Sequence, residues 1–147
     1  MSEIAIATPE TAVLGVFTDL KSGKIDDAIT RFAKDFTFKD YGIALEFKDK
    51  ERLAKFFYKS RELYPGAFLQ ADAIFVSNGR VIIEWTLQFT LAEPFYGRLS
   101  RKVQVLLNGV SIVQTANGKI IKWVDYYDGW TSRRLALASY FTEWAEL

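Results

Sequence analysis

The chain has 147 residues, enough for one domain (1–147) with a substantial core. Half its residues are hydrophobic, 16% are aromatic and the net charge is +1, so no global field favours nucleic acid or an acidic partner. Cysteine and histidine are absent, which excludes a disulfide framework, a thiolate nucleophile and the usual base at neutral pH.

In chain order, Thr8 and Pro9 read as the N-cap and first residue of a helix whose face is Val13, Val16, Phe17 and Leu20; Ser22 and Gly23 end it. A second short helix is expected through Ile25, Ile29, Phe32 and Ala33. "FTFKD" then alternates as a strand, with Phe36, Phe38 and Asp40 on one side. A third helix follows, with a stripe of Leu53, Phe56, Phe57, Ser60 and Leu63, stopped by Pro65-Gly66.

From residue 67 the period changes to two. Asn78-Gly79 and Asn117-Gly118 are hairpin turns, because both residue types tolerate positive φ. Residues 92–97 read as a loop, and the long strand after it as bulged at Gly109. A terminal helix with Leu137, Phe141 and Trp144 on one side closes the chain. Helices followed by an antiparallel sheet predict one α+β domain. No secretory pattern and no bilayer-spanning apolar run is visible, so a cytoplasmic protein with no membrane partner is the expectation.

Strand parity selects the candidate site. Val81, Ile83, Trp85, Leu87, Phe89 and Leu91 form an apolar face, with Arg80, Glu84, Thr86 and Gln88 opposite. In "GKIIKWVDYYDGW", Ile121, Trp123, Asp125 and Tyr127 share a face. Asp125 therefore projects with Trp123, and Asp40 with Phe36 and Phe38. A carboxylate facing an apolar interior needs a partner, a proton or a wet cavity. For Asp40 the functional reading is a general base; the alternative is a strand-end aspartate that turns the chain at Tyr41-Gly42. For Asp125 the alternatives are an acid, base or ligand acceptor, and a structural carboxylate. Asp128 reads as a strand end or helix N-cap. Trp85, Trp123, Tyr127, Phe17, Phe38 and Leu87 are expected to line a hydrophobic pocket, and Tyr41, Tyr58, Tyr96 or Tyr126 could supply a hydroxyl.

The segments "SGKIDDAITRFAKDFTFKD" and "NGKIIKWVDYYD" make the chain resemble the nuclear transport factor 2-like superfamily, within it the SnoaL-like and ketosteroid isomerase-like proteins. The resemblance implies a cone-shaped, curved antiparallel sheet (cystatin-like) wrapped by N-terminal helices, with a pocket in the cone. It implies Asp40 as the proton-shuttling aspartate of an isomerase, cyclase or dehydratase working without metal or organic cofactor on a small hydrophobic ligand. It also implies a homodimer through the outer face carrying Ile82, Glu84, Thr86 and Gln88. The oxyanion donors of the ketosteroid isomerases fall at Val16 or Phe17 and near Val110. Against the limonene epoxide hydrolases Asp125 matches the aspartate of the last strand, while their Arg and second Asp fall at Trp85 and Leu87. A non-catalytic binding or dimerisation module, and an epoxide hydrolase with an altered triad, are the alternatives.

Overall fold

The computed structural model describes the backbone of residues 6–95 and 99–131, and side chains there except within 91–103. Three helices precede most of a six-stranded sheet: α1 (Pro9–Lys21), α2 (Ile25–Thr30), β1 (Phe32–Asp40), β2 (Leu45–Phe47), α3 (Lys50–Leu63), β3 (Phe68–Ser77), β4 (Arg80–Phe95), β5 (Leu99–Ala116) and β6 (Lys119–Tyr127). No helix among these residues is long and apolar enough to cross a membrane. The expected terminal helix, with Leu137, Phe141 and Trp144, lies outside the described residues, as does Tyr96.

Local chemistry sets the element ends. The Thr8 hydroxyl accepts from the Thr11 N–H at 3.2 Å, which satisfies one of the orphan donors of α1. Asp49 does the same for α3, accepting from the Arg52 N–H at 2.9 Å. Both Asn-Gly pairs have positive φ throughout, 50° and 71° at Asn78-Gly79 and 52° and 76° at Asn117-Gly118. These are the turns that match the twist of paired strands.

The sheet order is β2-β1-β6-β5-β4-β3. Every pairing is antiparallel except β1 with β6, which run parallel. That pairing joins the N-terminal half of the chain to its last described strand, and it explains one departure from expectation. Helix α2 stops at Thr30, and Phe32 and Ala33 belong to β1. The Arg31 carbonyl accepts from the Ile120 N–H at 2.9 Å, so the chain leaves the helix to enter the sheet. The apolar spacing of Ile25, Ile29 and Phe32 suits a helix, yet Phe32 reaches the same core from a strand, fully buried.

Other differences have similar causes. Residues 92–95, expected in a loop, extend β4 and pair with β5 down to Phe95 opposite Leu99. There is no bulge at Gly109, whose register with Trp85 is continuous. Glycine is required there for space: a Cβ would lie 2.2 Å from the Trp85 ring, which crosses over the residue. The irregularity in β5–β6 falls instead between Gln114 and Thr115. It puts Ile120, not Ile121, in the core, so Ile121 does not share the face of Trp123. Strand β2, only three residues long, was not anticipated.

The core lies between the helices and the concave side of the sheet. Val13, Val16 and Phe17 of α1 and Leu53 of α3 meet Phe36, Phe38, Ile83 and Trp123 of the strands. Parity along β4 is as read, with Val81, Ile83, Trp85 and Phe89 buried and Glu84 and Gln88 exposed. Gly109→Ala is expected to cost about 1–3 kcal/mol by overpacking the Trp85 ring. Urea denaturation followed by tryptophan fluorescence measures it, and the native spectrum should change as Trp85 is displaced.

Candidate functional site

Between the helices and the sheet lies a cavity of about 410 Å³. This is within the usual range for small-molecule sites. Phe17 and Leu20 of α1, Phe56 and Phe57 of α3, and Phe38, Trp85, Leu87 and Trp123 of the strands form much of its wall. Phe38 stacks on Trp123 with centroids 6.1 Å apart, and Trp85 meets Tyr127 edge-on at 5.5 Å. Phe17, Phe38, Trp85, Leu87, Trp123 and Tyr127, the residues expected to line a pocket, are all on this wall, together with Asp40 and Asp125.

The two aspartates are brought together by the parallel pairing. Asp40 ends β1 directly opposite Asp125 of β6, one step beyond the pair Phe38 and Trp123. Residues opposite one another on neighbouring strands project to the same face about 4.8 Å apart. Asp40 is 6% exposed. Its Oδ2 accepts from the Tyr127 hydroxyl at 3.0 Å and its Oδ1 from the Ile43 N–H at 3.1 Å. Asp40 thus closes the turn after β1 and also lines the cavity.

Asp125 is held differently. The Ser111 hydroxyl donates to its Oδ1 at 2.5 Å and the Trp123 indole N–H to the same oxygen at 2.6 Å. The Trp85 indole N–H in turn donates to Ser111 Oγ at 2.9 Å. Oδ2 accepts from no described group. No fully buried side-chain oxygen lacks a partner among the described residues, so Oδ2 keeps some exposure on a residue that lines the cavity.

Burial dominates the electrostatics. It pushes Asp125 from an ordinary 3.8 up to about 7, opposed by the Ser111 and Trp123 hydrogen bonds and reinforced by the charge on Asp40. Burial also raises Asp40, against the hydrogen bonds from Tyr127 and the turn. Burial and then the Asp40 charge push the Tyr127 phenol far above its ordinary range, so it stays a protonated donor.

Sequence reading missed Ser111 and Tyr64. Ser111 shares the inward parity of Val105, Leu107 and Val113, which is the signal that finds it. The stripe of α3 runs on to Tyr64, while Leu63 stands 58% exposed at the edge of the cavity. Tyr126 faces away and stacks on Tyr41, with centroids 5.1 Å apart; both are exposed. Asp128 accepts from the Trp130 N–H at 3.0 Å, turning the chain after β6. Among the described residues no group of three or more His, Cys, Asp or Glu side chains is placed to hold a metal ion.

The raised value of Asp125 has a consequence for stability. Between pH 3.8 and about 7 the folded state keeps a proton that the unfolded chain has released. Stability therefore falls as pH rises through that window and levels off above it. Asp125→Asn keeps the Oδ1 acceptor and is neutral at every pH. Urea midpoints measured from pH 4 to 8 should fall less steeply in this variant, with the smaller contribution of Asp40 remaining.

A family model described as a SnoaL-like domain matches residues 13–123. No curated protein matches the chain by sequence. Among solved structures, IdmH of Streptomyces antibioticus, provisionally described as a polyketide cyclase, superposes with a TM-score of 0.75 at 14% identity over 88% of this chain and 98% of that one. TerC, crystallised with polyporic acid, gives 0.70 at 15% identity over 87% and 98%. A Catenulispora acidiphila protein with a ketosteroid isomerase-like fold, in complex with trimethylamine, gives 0.71 at 15% over 84% and 90%. Likeness at these identities extends to the fold.

Proposed function

The chain belongs to the SnoaL-like domain family, and on that premise we propose that it binds a small hydrophobic ligand and moves a proton on it without a cofactor. The observation that carries this reading is the pairing of Asp40 with Asp125 on the wall of an aromatic cavity. Two adjacent buried carboxyls do not ionise independently: the first charge raises the second group. With Asp125 titrating at about 7, that carboxyl is close to half-protonated at neutral pH. Asp40, fixed by Tyr127, is the base; Asp125, which lines the cavity with Oδ2 accepting from no described group, is the acid. This division of labour between two neighbouring carboxyls is how one site supplies both proton acceptor and proton donor.

In the reaction class this supports, Asp40 takes a proton from carbon next to a carbonyl. The C–H electron pair moves into the new C=C bond as the carbonyl π pair moves to oxygen. In a β,γ-unsaturated ligand, return of the proton at the γ-carbon, with the C=C moving into conjugation as the carbonyl re-forms, completes an isomerisation; attack of the carbanion on a second carbonyl of the same ligand forms an alkoxide that takes its proton from Asp125, which would complete a cyclisation. Solved structures of similar fold crystallised with small molecules support a small-molecule ligand for this chain.

Exchange of the α-hydrogens of 2-tetralone in D₂O tests the proposal. The protein should accelerate exchange, and Asp40→Asn should reduce the acceleration about 10²-fold or more. Binding of 2-tetralone without any acceleration would leave a non-catalytic ligand-binding module.

The same reading includes a homodimer. On the outer face Phe75, Ile82 and Ile112 are register partners across β3, β4 and β5, an apolar row with Phe75 53% exposed. Such a row is suited to burial against a second copy. Sedimentation should give a dimer that Ile112→Glu converts to a monomer; a monomeric wild type would remove this part of the proposal.

A further inference from the structure

The polar wall of the cavity is rich in hydrogen-bond donors, but most are already committed. The Trp85 indole serves Ser111, Ser111 and the Trp123 indole serve Asp125, and Tyr127 serves Asp40. The Ser60 hydroxyl, from α3, donates to the Phe56 carbonyl at 2.8 Å. A carbonyl oxygen entering this cavity would find its surroundings made of acceptors and apolar carbon, apart from the proton on Asp125.

Tyr64 is different. It lines the cavity, yet its hydroxyl makes no hydrogen bond with any described residue. Since no fully buried side-chain oxygen lacks a partner among those residues, the hydroxyl keeps some exposure, on a half-buried residue that lines the cavity. Its position is well defined. The Tyr64 N–H bonds to the Ser60 carbonyl at 3.0 Å, and its own carbonyl accepts from the Ala67 N–H at 3.1 Å. Pro65 follows and prevents the helix from continuing. The Tyr64 ring packs on Phe89 with centroids 4.7 Å apart. Tyr64, Tyr127 and Asp40 line the same cavity.

We propose that Tyr64 is the hydrogen-bond donor that receives the carbonyl oxygen of the ligand in the cavity lined by Asp40 and Asp125. This deepens the reading of the site as one for a small hydrophobic ligand and rests on it. As Asp40 withdraws the α-proton and the electron pair moves toward the carbonyl oxygen, the growing negative charge meets the Tyr64 O–H. A fixed donor aimed at developing charge in a dry site is an effective form of transition-state stabilisation. Tyr64 fills the role for which Val16, Phe17 and Val110 offer no donor.

Two planar probes of matched shape test it: 2-acetylnaphthalene, with a carbonyl oxygen, and 2-isopropenylnaphthalene, with a CH₂ group in its place. Binding is measured by titration calorimetry at pH 8, where Asp125 is mostly ionised, and the carbonyl stretch of the bound ketone is read by infrared difference spectroscopy. The wild type should prefer the ketone by about five- to tenfold, with the stretch shifted to lower frequency. Tyr64→Phe should lose both the preference and the shift while still binding the hydrocarbon. Preference and shift that survive in Tyr64→Phe overturn the assignment. So does a wild type that shows no preference, or one whose preference appears only at low pH as Asp125 takes up its proton, since Asp125 is then the donor. If neither probe enters the wild-type cavity, the ligand reading falls and the assignment with it.

Discussion

The parallel pairing of β1 with β6 is the constraint on which the rest of the site depends. It joins two segments more than eighty positions apart and sets Phe38 beside Trp123 and Asp40 beside Asp125 in consecutive inward steps. The aromatic pair forms an apolar part of the cavity wall. The carboxyl pair is then ionised at a cost that the surrounding hydrogen bonds only partly offset. An apolar wall and an unusual acid–base pair arise from the same register. A slip of one residue in either strand would turn that strand's aspartate to the opposite face.

Glycine placement shows how closely the aromatic groups are fitted around that pair. A Cβ on Gly109 would meet the Trp85 ring, whose indole N–H anchors Ser111, and one on Gly42 would lie 2.1 Å from the Tyr127 ring, which anchors Asp40. At these two positions the missing side chain lets an aromatic ring reach its polar partner. Packing and hydrogen bonding are therefore coupled. The rings are held by close contact, and their polar atoms fix the carboxyls through Ser111, Trp123 and Tyr127.

Much of this was legible from local chemistry. Asn-Gly pairs announced two hairpins, Thr8-Pro9 a helix start, and alternation in β4 the buried face. The inward direction of Asp40 and Asp125 followed from the parity of Phe36, Phe38 and Trp123. What remained hidden was decided by pairing between distant segments. The end of α2 depends on the carbonyl of Arg31 meeting Ile120, strand β2 exists because β1 offers it an edge, and Ile120 replaces Ile121 because of a register shift in β6. Tyr64 was missed because Leu63, one residue earlier, is the more apolar choice for the end of the stripe. The adjacency of the two aspartates is a property of the parallel register, which no short-range pattern encodes.

Side by side on the cavity wall, Asp40 and Asp125 titrate as a pair. Carboxyl carbon NMR of the protein with labelled aspartate, assigned with Asp40→Asn and Asp125→Asn, tests it most directly. The account predicts Asp125 titrating near 7, Asp40 raised above its ordinary value, and Asp125 moving down when Asp40→Asn removes the neighbouring charge. Two independent titrations near 3.8, with Asp125 unmoved in Asp40→Asn, would contradict it.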